Sequence, residues 1–375
     1  MSALFSPVRL GRQDFPNRIV VSPMCQYSAI HGEATDWHLV HLGSLAMSGA
    51  GLLMLEATAV EPLGRIAHGD LGLFNEDCEA ALHRVLGFCR RHGSAKLGIQ
   101  LGHAGRKASV QAPWEGGRPL RPDEDPWDTV APSAIPFGDG WHTPRAATAE
   151  DLDRIVDAFA AAASRAVRLG LDVVEMHASH GYLLHQFLSP LANRRTDEYG
   201  GTAENRMRFP LRVFEAIRAA CPPDTAVGAR VTASDWIEGG ADLAEAISFS
   251  RALAERGCDY LDVTTGGVAP GAKIEIGPGY QAPFAAAIRK ETGLPVWAVG
   301  LIVTPEQAEE ILTSGQADMV ALARTMLDEP HWPWEAARRL GGTVARPPQY
   351  ERSAPAHWPG SAHKDGGEPP RLAAE

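Results

Sequence analysis

Eight short apolar segments, each followed by a longer stretch with helical character, recur between residues 18 and 324. The segments, rich in Val, Ile and Leu, are Arg18–Pro23, Gly51–Val60, Lys96–Leu101, Asp172–His177, Ala226–Val231, Tyr260–Thr265, Pro295–Gly300 and Met319–Arg324. Apolar strands joined by helices are typical of parallel sheets that are covered on their outer face. Eight such units predict an α/β fold, a closed (β/α)8 barrel. No GxGxxG follows the first segment, which argues against a dinucleotide-binding domain of the open-sheet type.

Charge and cysteine content limit the classes of function. A formal net charge of −11 argues against a nucleic-acid partner, because phosphate backbones require clustered Lys and Arg. No apolar run reaches the roughly 18 residues that would span a bilayer, and residues 1–17 lack the layout of a signal peptide. The five cysteines are scattered and form no CxxC pair. These features predict a cytoplasmic protein without disulfides, structural metal or membrane contact.

Polar residues fall at or near the ends of the apolar segments. They are Ser22, Glu56, Gln100, Glu175, His177, Arg230, Thr264 and Arg324. The C-terminal ends of the strands carry the active site in (β/α)8 barrels. Strand ends are in general more polar than strand middles, but that does not account for Glu, Gln and Arg at positions facing inward, where a core would exclude them. We therefore predict an active site at this rim.

Six motifs occur in order along the chain. They are Ser22–Tyr27 (SPMCQY), Gln100–Lys107 (QLGHAGRK), His177–Leu183 (HASHGYL), Phe187–Pro190 (FLSP), Asn193–Gly201 (NRRTDEYGG) and Asn205–Arg206. Together they resemble the Old Yellow Enzyme family, in particular its bacterial, thermophilic-like subclass, from about Asn17 to Arg352. The resemblance implies a single FMN-binding TIM barrel over residues 1–352. It also implies an ene-reductase that passes hydride from NADPH or NADH to FMN, and then from flavin N5 to the β-carbon of an α,β-unsaturated carbonyl or nitro compound.

The resemblance implies a set of FMN-binding residues. The phosphate is expected at the ends of strands seven and eight, at Gly300, Leu301, Ala323 and Arg324, where backbone N–H groups bind anions. Gln100 and Arg230 are expected along the pyrimidine edge of the flavin, where a cation stabilises negative charge. The remaining flavin contacts are expected from Ser22, Pro23, Met24, Cys25 and Ala57. Arg230 has an alternative role, a buried ion pair with Glu175 or Glu56.

His177, His180 and Tyr182 are expected to form the substrate end of the site. Two imidazoles at this spacing can converge on one carbonyl oxygen and stabilise the enolate that forms. Tyr182 would then protonate the α-carbon as a general acid. Two alternatives stay open from the residues alone: the HxxH spacing with Glu175 nearby suits a metal, and the histidines can be rim residues without chemistry.

Cys25 marks the subclass, and the resemblance places its thiol near flavin N5, where it would modulate the redox potential. Cys25 lacks an adjacent base in the sequence, so a nucleophilic role is disfavoured, and a small buried hydrophobic residue is the plain alternative. Tyr27 is expected at the substrate carbonyl. Lys107 and His103 are assigned only to the loop that borders the site.

Three segments outside the strands are assigned by position. Residues 1–17 are expected to form a hairpin that closes the barrel floor. Residues 108–144, rich in Pro, Gly and Trp, are expected to cap the barrel mouth or to form a surface excursion. Arg352 resembles the family arginine that reaches a neighbouring subunit's site, which implies a homodimer or a tetramer, and residues 353–375 are expected to be a flexible tail.

Two other functions remain compatible with the residues. One is a flavin-free barrel that binds a phosphorylated substrate and acts as a lyase or isomerase. The other is a flavoprotein whose main role is redox sensing through Cys25. Flavin absorbance in the purified protein separates the first alternative from the ene-reductase, and reversible Cys25 oxidation with slow enone turnover would favour the second.

Overall fold

The computed structural model describes residues 2–361; the end of the expected flexible tail, residues 362–375, lies outside them. The strands are β1 (Val8–Leu10), β2 (Gln13–Phe15), β3 (Ile19–Val21), β4 (Leu52–Ala59), β5 (Lys96–Gly102), β6 (Val130–Ala131), β7 (Arg145–Ala146), β8 (Val173–Ala178), β9 (Ala226–Thr232), β10 (Tyr260–Thr264), β11 (Val296–Val299) and β12 (Met319–Leu322). The helices are α1 (Asp36–Ala46), α2 (Glu76–His92), α3 (Ala149–Arg168), α4 (Leu183–Leu188), α5 (Ala203–Ala220), α6 (Leu243–Ala254), α7 (Ala282–Thr292), α8 (Pro305–Thr313), α9 (Arg324–Asp328) and α10 (Trp332–Leu340).

Eight of these strands close into a parallel barrel. The order around the barrel is β3, β4, β5, β8, β9, β10, β11 and β12, and β12 pairs with β3. Each of the eight apolar segments becomes a barrel strand whose ends lie within two residues of the predicted ones. The predicted (β/α)8 fold is therefore confirmed.

The N-terminal hairpin of β1 and β2 lies against one end of the barrel interior. Leu10 and Phe15 are buried in the same apolar cluster as Tyr260 and Trp297, whose rings stack at 4.1 Å inside the barrel. Lys96, the first residue of β5, donates a hydrogen bond of 2.7 Å to the side chain of the hairpin residue Gln13. The hairpin thus covers the N-terminal ends of the strands and leaves the C-terminal ends for the site.

The helices begin at side-chain caps and bury one face against the barrel. In α3 the hydroxyl of Thr148 accepts from the N–H of Asp151, a pairing that satisfies an otherwise free helix N–H. Leu152, Ile155 and Phe159 follow at helical spacing and are buried in the large cluster outside the strands. Among residues 2–361, no helix is both long and apolar enough to cross a membrane.

The segment 108–144 lies over the C-terminal end of the barrel near β4 and β5. The indole N–H of Trp127 donates to the carbonyl of Leu63 at 3.2 Å, and Trp127 packs in a small apolar cluster with Tyr27 and Tyr182. The exposed ring of Trp114 contacts the ring of Tyr27 edge-on at 5.8 Å. The segment is therefore part of the barrel mouth rather than an excursion away from it.

Candidate active site

A buried polar network crosses the barrel interior from β5 to β10. Glu175 on β8 accepts hydrogen bonds from the side-chain amide of Gln100 at 2.8 Å and from the hydroxyl of Tyr260 at 3.1 Å. Burial raises the pKa of Glu175 to about 8, and the nearby charge of Asp262 adds to this effect. Gln100 thus lies at the predicted strand end, but its amide N–H is already bonded to Glu175.

Arg230 lies between this network and a cavity. Its Nε is 3.0 Å from Oδ2 of Asp262, so the ion pair exists, but its partner is Asp262 and not Glu175 or Glu56. The sequence did not single out Asp262, because a carboxylate in the middle of a predicted strand carries no motif. Among the described residues, the guanidinium of Arg230 donates no hydrogen bond of normal geometry, and Arg230 lines the cavity beside it. The cation is therefore available to a ligand.

That cavity has a volume of about 530 Å³ and lies at the C-terminal ends of the strands from β9 to β12. It is lined by His180, Arg230, Thr264, Thr265, Tyr280, Gln281, Val299, Gly300, Leu301, Ile302, Val303, Ala321, Ala323, Arg324, Thr325 and Asp328. The structure thus brings together all four residues predicted to bind a phosphate, with Arg230 and His180 on the same wall. Arg324 is exposed at the start of α9.

Gly300 and Leu301 leave β11 with positive φ angles of 111° and 49°. A Cβ on Gly300 would lie 2.5 Å from the side-chain nitrogen of Gln281, so a side chain here would intrude on the cavity wall. The open backbone, the guanidinium of Arg230 at the cavity wall and the cavity volume fit a phosphorylated cofactor of the size of FMN.

The loop after β3 supplies the other predicted flavin contacts. Where β3 pairs with β12, the N–H of Ser22 donates a hydrogen bond to the carbonyl of Leu322. The hydroxyl of Ser22 is buried without a hydrogen-bond partner among residues 2–361. Pro23, Met24 and Cys25 follow, all partly exposed. A buried hydroxyl without a partner is unusual in native structures and is consistent with a polar ligand above the strand end.

Glu56 holds this loop in place. Its carboxylate accepts from the N–H of Gln26 at 2.9 Å and lies 3.3 Å from Nε2 of His38 on α1. Ala57 follows at an irregularity in the pairing of β4 with β5, which shifts the register after Leu55. Glu56 is thus bonded to the loop and α1, and Ala57 is left to line the mouth.

His177, His180 and Tyr182 meet at the mouth of the barrel. The rings of His177 and His180 are 5.3 Å apart and nearly perpendicular, and His177 lies 5.1 Å from the ring of Tyr182. Burial lowers the pKa of both histidines well below the ordinary value, and the positive charge of Arg230 lowers it further. Burial also raises the pKa of the Tyr182 phenol well above the ordinary value. Near neutral pH the site therefore holds two neutral imidazoles and a protonated phenol.

Hydrogen-bond partners fix which imidazole nitrogen carries a proton. Thr264 donates its hydroxyl to the side-chain oxygen of Gln281 at 3.1 Å, so its oxygen can only accept from Nε2 of His180, which lies 3.1 Å away. His177 differs, because its Nδ1 lies 3.1 Å from the hydroxyl of Ser179, which can donate to it. His177 then presents a free Nε2–H, whereas His180 must release Thr264 before this nitrogen can donate to a substrate.

The turn that carries His180 and Tyr182 is held from below by a buried pair that the sequence reasoning missed. The N–H of Gly181 donates to Nδ1 of His185 at 2.8 Å, and Nε2 of His185 lies 2.8 Å from Oδ1 of Asp235. Lys107, assigned from sequence only to the bordering loop, donates to the carbonyl of His180 at 2.8 Å. The spacing of Gly181 and His185 was visible in the sequence, but the partner Asp235 lies too far along the chain to be inferred.

Cys25 and Tyr27 pack against the small apolar cluster of Ile66, Ala104, Ala108 and Val110, as Tyr182 does. Burial raises the pKa of the Cys25 thiol well above its ordinary value, and the charge of Asp70 contributes next. A thiol held in its protonated form is a weak nucleophile. Asp70 itself is a second residue that the sequence reasoning missed, because it lies in the turn between β4 and α2 and not at a strand end.

Within one chain, Arg352 does not reach this site. The described residues also place no metal centre there. Arg352 is exposed in the last helical turn, Pro348–Ser353, and its reach into a neighbouring subunit stays a prediction. No group of three or more His, Cys, Asp or Glu side chains is placed to hold a metal ion among residues 2–361.

Comparison with known proteins identifies the family. Residues 3–341 match the NADH:flavin oxidoreductase / NADH oxidase family. The chain belongs to this family. Among its curated relatives, the NADPH dehydrogenase of Geobacillus thermodenitrificans (strain NG80-2) is 44% identical over 353 residues, covering 94% of this chain and 98% of the relative. The NADPH dehydrogenase of Listeria innocua serovar 6a is 44% identical over 355 residues, covering 94% of this chain and 99% of the relative.

Solved structures place this NADH:flavin oxidoreductase with barrels of the Old Yellow Enzyme type. Morphinone reductase superposes with a TM-score of 0.75 at 29% identity, covering 93% of this chain and 92% of that one, and it has also been solved with tetrahydroNAD. A 2-naphthoyl-CoA reductase complex superposes with a TM-score of 0.81 at 25% identity. The superposed region covers 91% of this chain and 52% of that longer chain.

Membership in this family establishes an FMN-dependent oxidoreductase that uses a nicotinamide cofactor. The alternative of a flavin-free lyase or isomerase is therefore wrong.

Proposed function

We propose that this oxidoreductase reduces the activated C=C bond of α,β-unsaturated carbonyl compounds, and that His177, His180 and Tyr182 form its substrate site. The observation that carries the proposal is the position of the His177 imidazole 5.1 Å from the phenol ring of Tyr182, with Nδ1 of His177 bonded to Ser179 and Nε2 left to face a substrate. A hydrogen-bond donor and a proton donor on one side of the mouth suit a substrate whose oxygen gains negative charge while its carbon gains a proton.

His177 acts first in this scheme. Its Nε2–H donates to the carbonyl oxygen of the substrate, and because the imidazole is neutral, it polarises the carbonyl without transferring its proton. His180 adds a second donor once its Nε2–H exchanges Thr264 for the substrate oxygen. Loss of a single donor of this kind costs roughly 10²–10³ in rate in other enzymes, and we expect the same range for His177→Ala.

Tyr182 completes the reaction by adding a proton to the α-carbon. Its raised pKa keeps the phenol protonated over the physiological range, so the donor needs no activation before substrate binds. Tyr27 lies in the same small apolar cluster and contacts Trp114 of the 108–144 segment. We propose that this contact limits the width of the substrate entrance.

The FMN would lie in the cavity beside Arg230. Gly300, Leu301, Ala323 and Arg324 would hold its phosphate; Gln100 and Arg230 its pyrimidine edge; and Ser22, Pro23, Met24, Cys25 and Ala57 its remaining contacts. When bound, FMN would supply the hydride chemistry that links NADPH or NADH to the β-carbon of the substrate. The relatives named morphinone reductase and 2-naphthoyl-CoA reductase are named for carbonyl compounds, which is consistent with this proposal.

Anaerobic titration tests the proposal. NADPH should bleach the flavin absorbance of the purified protein, and 2-cyclohexenone added afterwards should restore it. Tyr182→Phe should bleach at the same rate and recover more slowly, by about 10²-fold or more, because proton donation is lost. An unchanged recovery rate would show that another group supplies the proton.

The two histidines need a separate control. The double substitution of His177 and His180 by Ala should weaken the binding of phenols and enones while FMN stays bound. Loss of FMN instead would place the imidazoles in the cofactor site. We also propose a cytoplasmic homo-oligomer in which Arg352 reaches a neighbouring site.

A further inference from the structure

Asp70 is a buried carboxyl group with one unpaired oxygen beside the proposed proton donor. Its side chain is 2% exposed. Oδ2 accepts a hydrogen bond of 2.6 Å from the N–H of Ile66, and Oδ1 has no partner among the described residues. Buried carboxylate oxygens without partners are costly, so such a group either keeps a proton or meets a water or ligand.

The turn that holds Asp70 opens onto a small cavity of about 10 Å³, which Asp70 lines together with His103, His177 and Tyr182. A buried water needs roughly 10–15 Å³ of such space and several polar neighbours. The cavity is therefore at the lower limit of the space that one water needs, and both the carboxyl group of Asp70 and the phenol of Tyr182 border it. His68, two residues before Asp70 on the same turn, is exposed to solvent.

We propose that Asp70 returns a proton to Tyr182, through one water in this cavity, after each protonation of substrate. The inference rests on the proposed function and adds a step to it. When Tyr182 gives its proton to the α-carbon, its O–H bond breaks and a C–H bond forms, which leaves a phenolate. The water then donates a proton to the phenolate and receives one from the Asp70 carboxyl, and Asp70 regains its proton from solvent. No group changes oxidation state in this step.

The charges around Asp70 favour a carboxyl group that holds a proton until it is needed. Burial raises its pKa to about 8 and the charge of Glu56 adds to this, while the backbone N–H groups of Ile66 and Ala67 and the cation of Arg65 oppose it. The titratable or charged groups that face it are Glu56 on β4, Arg65 on its own turn, Cys25 and Tyr27 after β3, and His103, His177 and Tyr182 around the cavity. The pKa of Tyr182 is higher still, so transfer from Asp70 to the phenolate runs downhill.

A purely structural role for Asp70 is the competing explanation, since Oδ2 already caps the turn through Ile66. Asp70→Asn separates the two roles. The side-chain oxygen of Asn can accept the same hydrogen bond, but the amide cannot supply a proton near neutral pH. Asp77→Asn, at an exposed position on α2, is the matched control for the loss of one carboxylate.

The first test compares early and late turnovers with excess NADPH and 2-cyclohexenone. Asp70→Asn should complete the first oxidation of the flavin within about twofold of the wild-type rate, since Tyr182 starts with its proton. Later turnovers should be slower by about tenfold or more, in keeping with the usual contribution of a proton-transfer group. In the wild-type protein, later turnovers should slow as pH rises through about 8, and Asp70→Asn should lack this dependence.

A double substitution sharpens this test. If Asp70 acts through Tyr182, Asp70→Asn should slow the wild-type protein but not a Tyr182→Phe protein, so the two effects do not add. Equal late turnover in Asp70→Asn, Asp77→Asn and wild type would overturn the relay alone. Absence of enone reduction in the wild-type protein would overturn the proposed function, and the relay with it.

A spectroscopic test does not depend on turnover or on the folding of an Asp70 variant. Difference infrared spectra of the protein with oxidised FMN, taken between about pH 6 and pH 9, should show protonated carboxyl groups that lose their protons near pH 8. Because burial also raises the pKa of Asp262, the signal of Asp70 is assigned as the one that remains when Glu175→Gln is combined with Asp262→Asn. If no signal remains in that double variant, Asp70 is ionised at neutral pH and the proposal is wrong.

Discussion

Replacing Gly181 by Ala should disable the substrate site while leaving the cofactor site intact. Gly181 lies between His180 and Tyr182 with a φ of 73°, a conformation that residues with a Cβ rarely adopt. A Cβ at this position would lie 2.0 Å from the carbonyl oxygen of Gly267 and 2.7 Å from Cα of Val268. Both contacts are with backbone, so no side-chain rotation can relieve them.

The cost of the substitution has two parts. The left-handed conformation costs roughly 1–2 kcal/mol for a residue with a Cβ. Ordinary contacts of a Cβ begin at 3.4 Å. The turn at Gly181 must therefore move away from the Gly267 carbonyl by more than about 1 Å. Overpacking of this kind costs roughly 1–3 kcal/mol, which gives a total of about 2–5 kcal/mol.

Gly201→Ala is the matched control. Gly201 has a φ of 80°, and no heavy atom lies within 4 Å of the position of its added Cβ. The control therefore carries the conformational cost of about 1–2 kcal/mol without the crowding. Urea unfolding with saturating FMN measures both variants, and the difference between them should be the overpacking part, about 1–3 kcal/mol.

The functional readout is the binding of a phenol followed by the flavin absorbance. Displacement of the turn moves His180 and Tyr182 together, and an error of about 1 Å can cost on the order of 10²-fold in rate. Gly181→Ala should therefore bind phenol weakly and reduce enones slowly, with FMN still bound and reduced by NADPH at the normal rate. The reasoning is refuted if Gly181→Ala matches Gly201→Ala in both stability and phenol binding.

Three further predictions concern the charges of the barrel and its assembly. Because burial raises the pKa of Glu175 from 4.5 to about 8, the folded state binds this proton more tightly than the unfolded state, and stability is lost as pH rises between these values. Glu175→Gln should remove that loss and be more stable than wild type by roughly 2–4 kcal/mol in urea at about pH 9, with little difference near pH 4. Arg230→Met should lower the free energy of unfolding by about 3–5 kcal/mol, because it leaves Asp262 buried without its cation, and adding Asp262→Leu should recover most of the loss. Arg352→Ala should raise KM for enones without changing FMN content, and sedimentation should show a homo-oligomer; unchanged KM would remove Arg352 from the site.

The sequence predicted the barrel well because its signal is local and repeated. Each apolar run, such as Ala226–Val231, is bounded by helix caps and turns, and errors of one or two residues at a strand end do not change the order of the strands. The cluster of His177, His180 and Tyr182 was also predictable, since the three residues lie on one turn after one strand. Residues so close in sequence are placed near one another by local geometry, without the help of long-range pairings.

The pairings across the barrel were not predictable in the same way. The alternative role considered for Arg230 was an ion pair with Glu175 or Glu56, but its partner Asp262 lies one strand further along, and only the register of β9 with β10 places the two side by side. Asp70 belongs to no sequence motif. Its proposed role depends on the burial of its side chain, which the sequence of the turn does not reveal. Long-range pairing and burial are properties of the closed barrel and not of any segment.

The barrel mouth separates two electrostatic environments. Toward the ends of β9–β12, Arg230 and Arg324 line a cavity suited to the anionic parts of a cofactor. Toward β4, β5 and β8, burial favours the neutral, protonated forms of Tyr182 and Asp70, and burial together with the charge of Arg230 keeps His177 neutral. Neutral donors bind an uncharged carbonyl only weakly, but they interact more strongly as charge develops on its oxygen. The separation therefore directs binding energy to the transition state of the reaction rather than to the resting substrate.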